Sequence, residues 1–445
     1  LPAAPNGSAP KNSILRRRCT VALGLLIGFL VIIIVGLPVG FAMGVISIVS
    51  IGILDGSMLI IPQKLFSSIN NFTYLCIPLY VLAAEIMSVG GLTEKIVHFC
   101  DCLVGHIHGG LSHVNVLGSM FFAGISGSAT ADVSGLGRLE IDMQEKAGYP
   151  RDYAASVTAA SAIIGPIIPP STIMVIYAVC ASNVSVSDMF LGGIVPGIML
   201  GLFEMIICYF QAKKNHYPRR AKRASASEII KATKETLPCL MLPVIILGGI
   251  GSGVFTATEA GGIAVLYAVV VVLIMRSMNL RSFFNCCISA AKATGNVMFI
   301  IAVASAMGWT VTTLQIPQQI ANFCMQYIST PTQFLLFVNI LLLIIGMILD
   351  QSPALLLMVP ILLPVATEYG IDPLQFGLIV CINLTVGLIT PPVGMTLFVT
   401  SNVSGVKLTT LYRRIIPFVL AGLLVLILIT YIPVLTTGIP ALLNG

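Results

Sequence analysis

Gly165-Pro166-Ile167-Ile168-Pro169-Pro170 decides how this chain is read, because the pattern returns at an offset of 222, from 165 to 387, as Gly387-Leu388-Ile389-Thr390-Pro391-Pro392. The same offset pairs Gly124 with Gly346 and Gly148 with Gly370, without a gap. A chance match of one short motif would not keep Gly and Pro positions on one register over this distance. Pro removes a backbone donor and breaks the helical ladder, while Gly permits close backbone approach. Lipid cannot satisfy the carbonyls freed at such a break, so they must face protein, water or an ion. Paired Gly/Pro interruptions in corresponding halves point to the binding site of a membrane transporter. A simple proline kink is the bland alternative for either motif taken alone.

Outward from these breaks lie two polar stretches with apolar flanks. Gly124-Ile-Ser126-Gly-Ser128-Ala-Thr130-Ala-Asp132-Val-Ser134-Gly135 is rich in small and hydroxyl residues. It suits neither a lipid-facing span nor a surface loop, and a re-entrant hairpin with its tip inside the protein fits both facts. Its counterpart is Gly346-Met-Ile-Leu-Asp350-Gln351-Ser352-Pro353, followed by an apolar segment broken by Pro360 and Pro364. Asp132 and Asp350 are therefore the carboxylates expected at membrane depth, where an ionisable group is a functional candidate. Capping or bracing a hairpin tip is the alternative role for each.

The rest of the chain agrees with a membrane setting. Of 445 residues, 57% are hydrophobic and 9% charged, against about 25% charged in soluble domains. Near-charge-free runs recur, at 20–35, 194–209, 261–275 and 418–432, and with their flanks they reach the roughly 20 apolar residues a span needs. The net charge of +6 is clustered. Lys213, Lys214, Arg219, Arg220, Lys222, Arg223, Lys231 and Lys234 are opposed only by Glu228, so the positive-inside rule puts the 213–234 loop in the cytoplasm. Arg16–Arg18, Arg413 and Arg414 are expected on the same side. Flanking spans explain these clusters better than a nucleic-acid partner does. The eleven cysteines show no disulfide or zinc spacing, and residues 1–18 form a Pro/Ala/Asn/Ser-rich linker or tail.

At these residues the chain resembles the large membrane subunit of the tripartite ATP-independent periplasmic (TRAP) transporters. Ser126–Asp132, Gly165–Ser171, Gly253-Val-Phe255-Thr256-Ala-Thr258-Glu259-Ala260 and Gly387–Gly394 all carry the likeness, which runs from about residue 18 onward. The resemblance implies an all-α polytopic protein of the ion transporter superfamily, with about eleven spans of about 20 residues each and two re-entrant helical hairpins. It also implies inverted repeats and an elevator-type transport domain on a scaffold. The expected division is 19–111 scaffold, 112–212 transport half with the first hairpin, 213–234 basic loop, 235–330 scaffold, 331–403 transport half with the second hairpin, and 404–445 C-terminal helix.

Function follows from the same likeness as an expectation: sodium-driven import of a small organic anion (dicarboxylate, sugar acid or sialic acid) across a bacterial inner membrane. A periplasmic substrate-binding protein and a four-helix small membrane subunit are the expected partners beside membrane lipids. No small-subunit module precedes the first span, so that subunit is expected as a separate chain or a removed N-terminal part. No cofactor is expected beyond the coupling ion, and no metal other than sodium. By motif, one sodium site would use Ser126, Gly165, Ile167 and Pro170. A pseudo-symmetric site would use Gly346, Asp350, Gly387, Thr390 and Gly394. Ser128, Thr130 and Asp132 would then face the substrate or a further ion. Glu259 is expected to brace its helix. Glu85 and Glu204 could each be a coupling carboxylate, with a buried hydrogen-bonded brace or an interfacial group the favoured role, and His106, His108 and His113 are expected as interfacial. A membrane-embedded enzyme would need a nucleophile with its base or paired catalytic carboxylates, and none has convincing spacing. A channel fits the two-fold repeat of broken hairpins less well than alternating access does.

Overall fold

The computed structural model describes residues 21–444 apart from 22, 23, 26, 30, 34, 55, 92 and 221. The expected tail at 1–18, with Arg16–Arg18, lies outside the described residues. Among the described residues every regular element is helical. In chain order they are α1 (Val39–Ile53), α2 (Ile60–Ile69), α3 (Cys76–Val89), α4 (Thr93–Val104), α5 (Gly110–Ser126), α6 (Ala129–Asp132), α7 (Arg138–Lys146), α8 (Arg151–Ala162), α9 (Thr172–Ala181) and α10 (Val186–Asn215). The second half adds α11 (Ala226–Gly251), α12 (Ala257–Met275), α13 (Leu280–Thr313), α14 (Ile316–Tyr327) and α15 (Pro331–Ile348). It ends with α16 (Gln351–Glu368), α17 (Pro373–Gly387), α18 (Met395–Ser404), α19 (Leu408–Tyr431) and α20 (Val434–Asn444). Eight helices among the described residues are long and apolar enough to cross a bilayer, and shorter apolar pieces such as Thr172–Ala181 and Pro373–Gly387 remain where Gly and Pro interrupt the chain.

Local sequence sets the starts and stops. Ser171, Ser185, Ser225, Asn279, Thr330 and Asp372 each accept a hydrogen bond from the amide three residues on, satisfying an orphan donor at a helix start. Thr256 and Glu259 form a reciprocal capping box on α12, with the Thr256 amide donating to Glu259 Oε2 at 2.8 Å. Glu259 is thus a brace, as its motif suggested. Thr256→Ala is expected to cost about 1 kcal/mol, read as a lower thermal midpoint of the purified protein with uptake unchanged.

The offset of 222 holds for whole elements. Shifted by it, α5 ends where α15 ends, 129–146 coincides with α16, and α8 and α10 start where α17 and α19 start. Gly148 and Gly370 both close a helix with positive φ, at +96° and +71°. Pairing is reciprocal, as two-fold-related repeats require: α3 packs on α12 while the end of α13, its counterpart, packs on α1. Likewise α9 packs on α16, and α18 packs on α6 and the π-helical turn 133–137.

Burial follows the bilayer's logic rather than water's. Leu336, Ile340, Ile344 and Ile348 form a half-exposed apolar stripe along α15, whereas Glu204 and Asn383 are fully buried. Asn383 donates to both the backbone and side-chain oxygens of Asn339, whose amide donates to Thr430, so side-chain bonds bolt α15, α17 and α19 together. In the first repeat Asn115 joins α5 to α8, donating to Thr158 at 2.7 Å and accepting from Ser161 at 2.6 Å. Without partners such groups would be costly in a dry interior.

The ion pairs among the described residues gather at one end. Arg414 pairs with Asp152 at 2.8 Å and Arg151 with Asp142 at 3.0 Å. Tyr149 donates to the Pro218 carbonyl, and Arg220 pairs with Glu228 and Asp101. Arg414 and the basic 213–234 segment therefore share an end. Among the described residues the non-helical part of that segment is 216–220 and 222–225, because α10 and α11 extend into it. A single cysteine at Arg219 is expected to react with a membrane-impermeant maleimide only from the cytoplasmic side of oriented vesicles. Labelling from the other side would reverse the topology.

Candidate functional site

The first break has a plain local cause. Helix α5 stops at Gly127, whose φ of +61° only glycine adopts freely, and the chain restarts after extended Ser128. A Cβ at Gly127 would meet the Pro170 carbonyl oxygen at 2.4 Å, so this tip rests on the Pro169–Pro170 backbone. Gly118 and Glu140 face each other across the arms, which makes the segment a folded-back pair. The second tip, Leu349-Asp350, runs extended between α15 and α16. Its support is as close: α15 and α17 touch backbone to backbone at Gly346 and Gly387, and the Gly394 amide donates to the Met347 carbonyl at 3.1 Å.

Some of the carbonyls around the Pro-Pro motifs have protein partners. Ser171 donates to Pro166, Tyr412 donates to Pro392, and the Thr396 amide donates to Leu388 at 3.1 Å. Thr390 donates to the Val386 carbonyl at 2.8 Å. Both unwound segments are thereby held in fixed shape against the two tips.

The tips meet at one cavity of about 490 Å³. Ser128, Thr130 and Ser134 line it from the first tip, and Asp350, Gln351 and Ser352 from the second. Glu85 and Ser88 of α3 and Asn296 of α13 close the opposite wall. On the 222 register Ser128 corresponds to Asp350 and Thr130 to Ser352, so equivalent positions of the two repeats face each other. Ser128 and Thr130 hydroxyls lie 3.3 Å apart, and Gln351 Oε1 accepts from Thr385, fixing the second tip to α17. Among the described residues the only ionisable groups lining the cavity are Glu85 and Asp350, with no Lys, Arg or His. At an effective dielectric near 20, two unit charges about 4 Å apart interact by about 4 kcal/mol. The walls therefore favour a cation and oppose an anion arriving alone.

The remaining expected ligands sit behind the tips. Gly165 packs against the Asp132 carboxylate, since a Cβ there would come within 2.5 Å of Asp132 Oδ2. Asp132 is buried at 3% exposure and does not line the cavity. Ile167 is fully buried, and Pro170 lies against Gly127, next to Ser126, whose side chain lies outside the described residues. Gly346, Gly387, Thr390 and Gly394 form the floor of the second tip rather than the cavity wall.

Two sequence expectations change. Glu85 is neither a brace nor interfacial, because it faces the cavity. The signal was available: Glu85 and Ser88 are three apart on one face of an otherwise apolar helix. Glu204 is buried, but neither carboxyl oxygen has a hydrogen-bond partner among the described residues, so it is no hydrogen-bonded brace. His113 is buried in the protein at 2% exposure, with Nε2 3.1 Å from the carbonyl oxygen of His108, a residue beside Arg219 of the basic segment.

Known proteins fit this geometry. The chain is 39% identical over 424 residues to the sialic acid TRAP transporter large permease protein SiaM of Vibrio cholerae, covering 95% of this chain and 99% of that one. It is 40% identical to the C4-dicarboxylate TRAP transporter large permease protein DctM of Pseudomonas aeruginosa, covering 85% and 88%. The fold is shared with the crystal structure of the Alcanivorax borkumensis YdaH transporter, at 15% identity and a TM-score of 0.56, covering 83% of this chain and 88% of that one. Residues 26–435 match the tripartite ATP-independent periplasmic transporter DctM component, and the chain belongs to that family.

Proposed function

We propose that this chain is the large permease subunit of a sodium-coupled, binding-protein-dependent importer of a small organic anion in a bacterial inner membrane. The observation that carries the reading is the shared cavity, where both repeat tips present hydroxyls and where, among the described residues, Glu85 and Asp350 are the only ionisable groups. An anion entering this space needs cations first, which is the physical content of sodium coupling here. Sodium favours hard oxygen ligands and would be held by tip oxygens and the breaks behind them: Ser126, Gly165, Ile167 and Pro170 in one repeat, Gly346, Asp350, Gly387, Thr390 and Gly394 in the other. Ser128, Thr130 and Ser352 would hold the substrate, while Asp132 sets the position of Gly165. The two tips would travel with α5–α9 and α15–α18 past α3 and α13, an elevator motion that exposes one site to each side in turn.

The substrates in the relatives' names, among them sialic acid, C4-dicarboxylates and isethionate, support small organic anions, carboxylate or sulfonate, as the substrate class proposed here. A small membrane subunit and a periplasmic binding protein complete the transporter in this reading. The test is uptake into proteoliposomes holding both membrane subunits. Transport is expected only with the loaded binding protein outside and an inward sodium gradient. Robust uptake by the membrane subunits alone would contradict the tripartite reading, and uptake indifferent to sodium would contradict the coupling.

A further inference from the structure

A second, larger cavity of about 650 Å³ lies on the far side of the second tip. Met307 and Val311 of α13, Leu341 and Ile345 of α15, and Leu357 of α16 line it, and Phe323 of α14 stands at its edge. The two cavities are related by the repeat. Glu85, Ser88, Gly127 and Gly135 line the first, and their counterparts at 222 residues' distance, Met307, Thr310, Leu349 and Leu357, line the second. The acidic group has become a thioether, and both glycines have become leucines. The second tip is the partition between them: Leu349 faces the apolar side and Asp350 the polar side.

The occupant follows from size, chemistry and access. Protein interiors pack close to crystal density, with few voids larger than a water. A cavity of this volume equals about twenty waters at about 30 Å³ each, yet apolar cavities stay dry. It falls within the range of about 300–1,000 Å³ typical of ligand sites. Phe323 lines the cavity and is 58% exposed, so the cavity reaches the protein's outer surface at an apolar side chain, and for a chain in a bilayer acyl chains are the apolar material outside. Flexible, unbranched hydrocarbon is the material at hand there, and the lining offers it contact on all sides.

We propose that this cavity binds one acyl chain of a membrane phospholipid, seated behind the second tip between α13–α14 and α15–α16. The chain would press Leu349 from behind and so hold Asp350 toward the polar cavity. Any sliding of α15–α16 past α13 would have to carry, reshape or release it.

The test uses the full chain with its small subunit in nanodiscs of phosphatidylethanolamine, a fraction of which carries a diazirine in one acyl chain. After photolysis, adducts are mapped by mass spectrometry. Adducts are expected on cavity-facing Met307, Val311, Leu341 and Ile345 as well as on outward-facing Leu336, Ile340 and Ile344. In Leu357→Trp, which fills the space, the cavity adducts are expected to be lost while the outward set persists, and that set also reports that the variant is folded. Should Leu357→Trp fail to fold, Val311→Phe provides the same comparison. Adducts confined to the outward set in the unsubstituted protein would overturn the proposal, as would protection of the cavity by a peptide of the small subunit. None of these readouts depends on sodium or substrate, so their failure leaves the transport reading untouched.

Discussion

Gly387→Val is expected to abolish uptake and to lower the thermal midpoint. A Cβ at Gly387 would stand 2.6 Å from the Gly346 carbonyl carbon and 2.7 Å from its Cα. The obstacle is backbone on both sides, so no side chain can swing away. Overpacking of this kind costs about 1–3 kcal/mol and occasionally more, and here the only relief is to separate α15 from α17. That separation withdraws the floor of the second tip, so binding is lost even in protein that still folds. Gly262→Ala is the matched control, because nothing lies within 4 Å of its added Cβ. It is expected to be neutral or mildly stabilising, since Gly is about 1 kcal/mol worse than Ala inside a helix. Equal behaviour of the two variants would mean that the α15–α17 contact does not support the site.

Asp350→Asn is the second large effect. The substitution keeps shape and removes one of the two carboxylates that line the cavity among the described residues. At about 4 kcal/mol for a pair some 4 Å apart, even a third of that interaction is worth about tenfold in binding, at about 1.4 kcal/mol per tenfold. The half-saturating sodium concentration for uptake is therefore expected to rise by at least about tenfold. Glu85→Gln is expected to shift it in the same direction but less, because Glu85 is only half-buried on α3, outside the tip. Sodium titrations of uptake in proteoliposomes check both. An unchanged sodium midpoint in Asp350→Asn would remove this carboxylate from the coupling site.

Much of the architecture was legible because Gly and Pro leave marks that survive divergence of everything around them. Gly148 and Gly370 both need positive φ, and the two Pro-Pro motifs both end a helix, so their common offset located the repeat. The hairpins were legible because hydroxyl-rich stretches with apolar flanks have no home in lipid. The division of labour within the site was not. Asp132 and Asp350 look alike in sequence, yet one is sealed against Gly165 and the other lines the cavity. Which way a side chain points at a tip depends on the register between α6 and the segment at 165–170, and no local pattern encodes that. Glu85 was underestimated for a related reason: a carboxylate in an apolar helix can face a helix neighbour or a cavity, and only the position of both tips decides. The apolar cavity was invisible to sequence, because its residues match any well-packed core.

The central claim is that both tips, one from each repeat, form a single sodium-responsive site. It is tested most directly by placing one cysteine at Ser128 and, in a separate variant, one at Ser352, in a background without reactive native cysteines. Each is titrated with a small water-soluble maleimide across a sodium series. The account predicts that both positions react in potassium, that sodium protects both, and that the two protection curves share one midpoint. Protection at one tip alone, two clearly different midpoints, or labelling independent of sodium would contradict it.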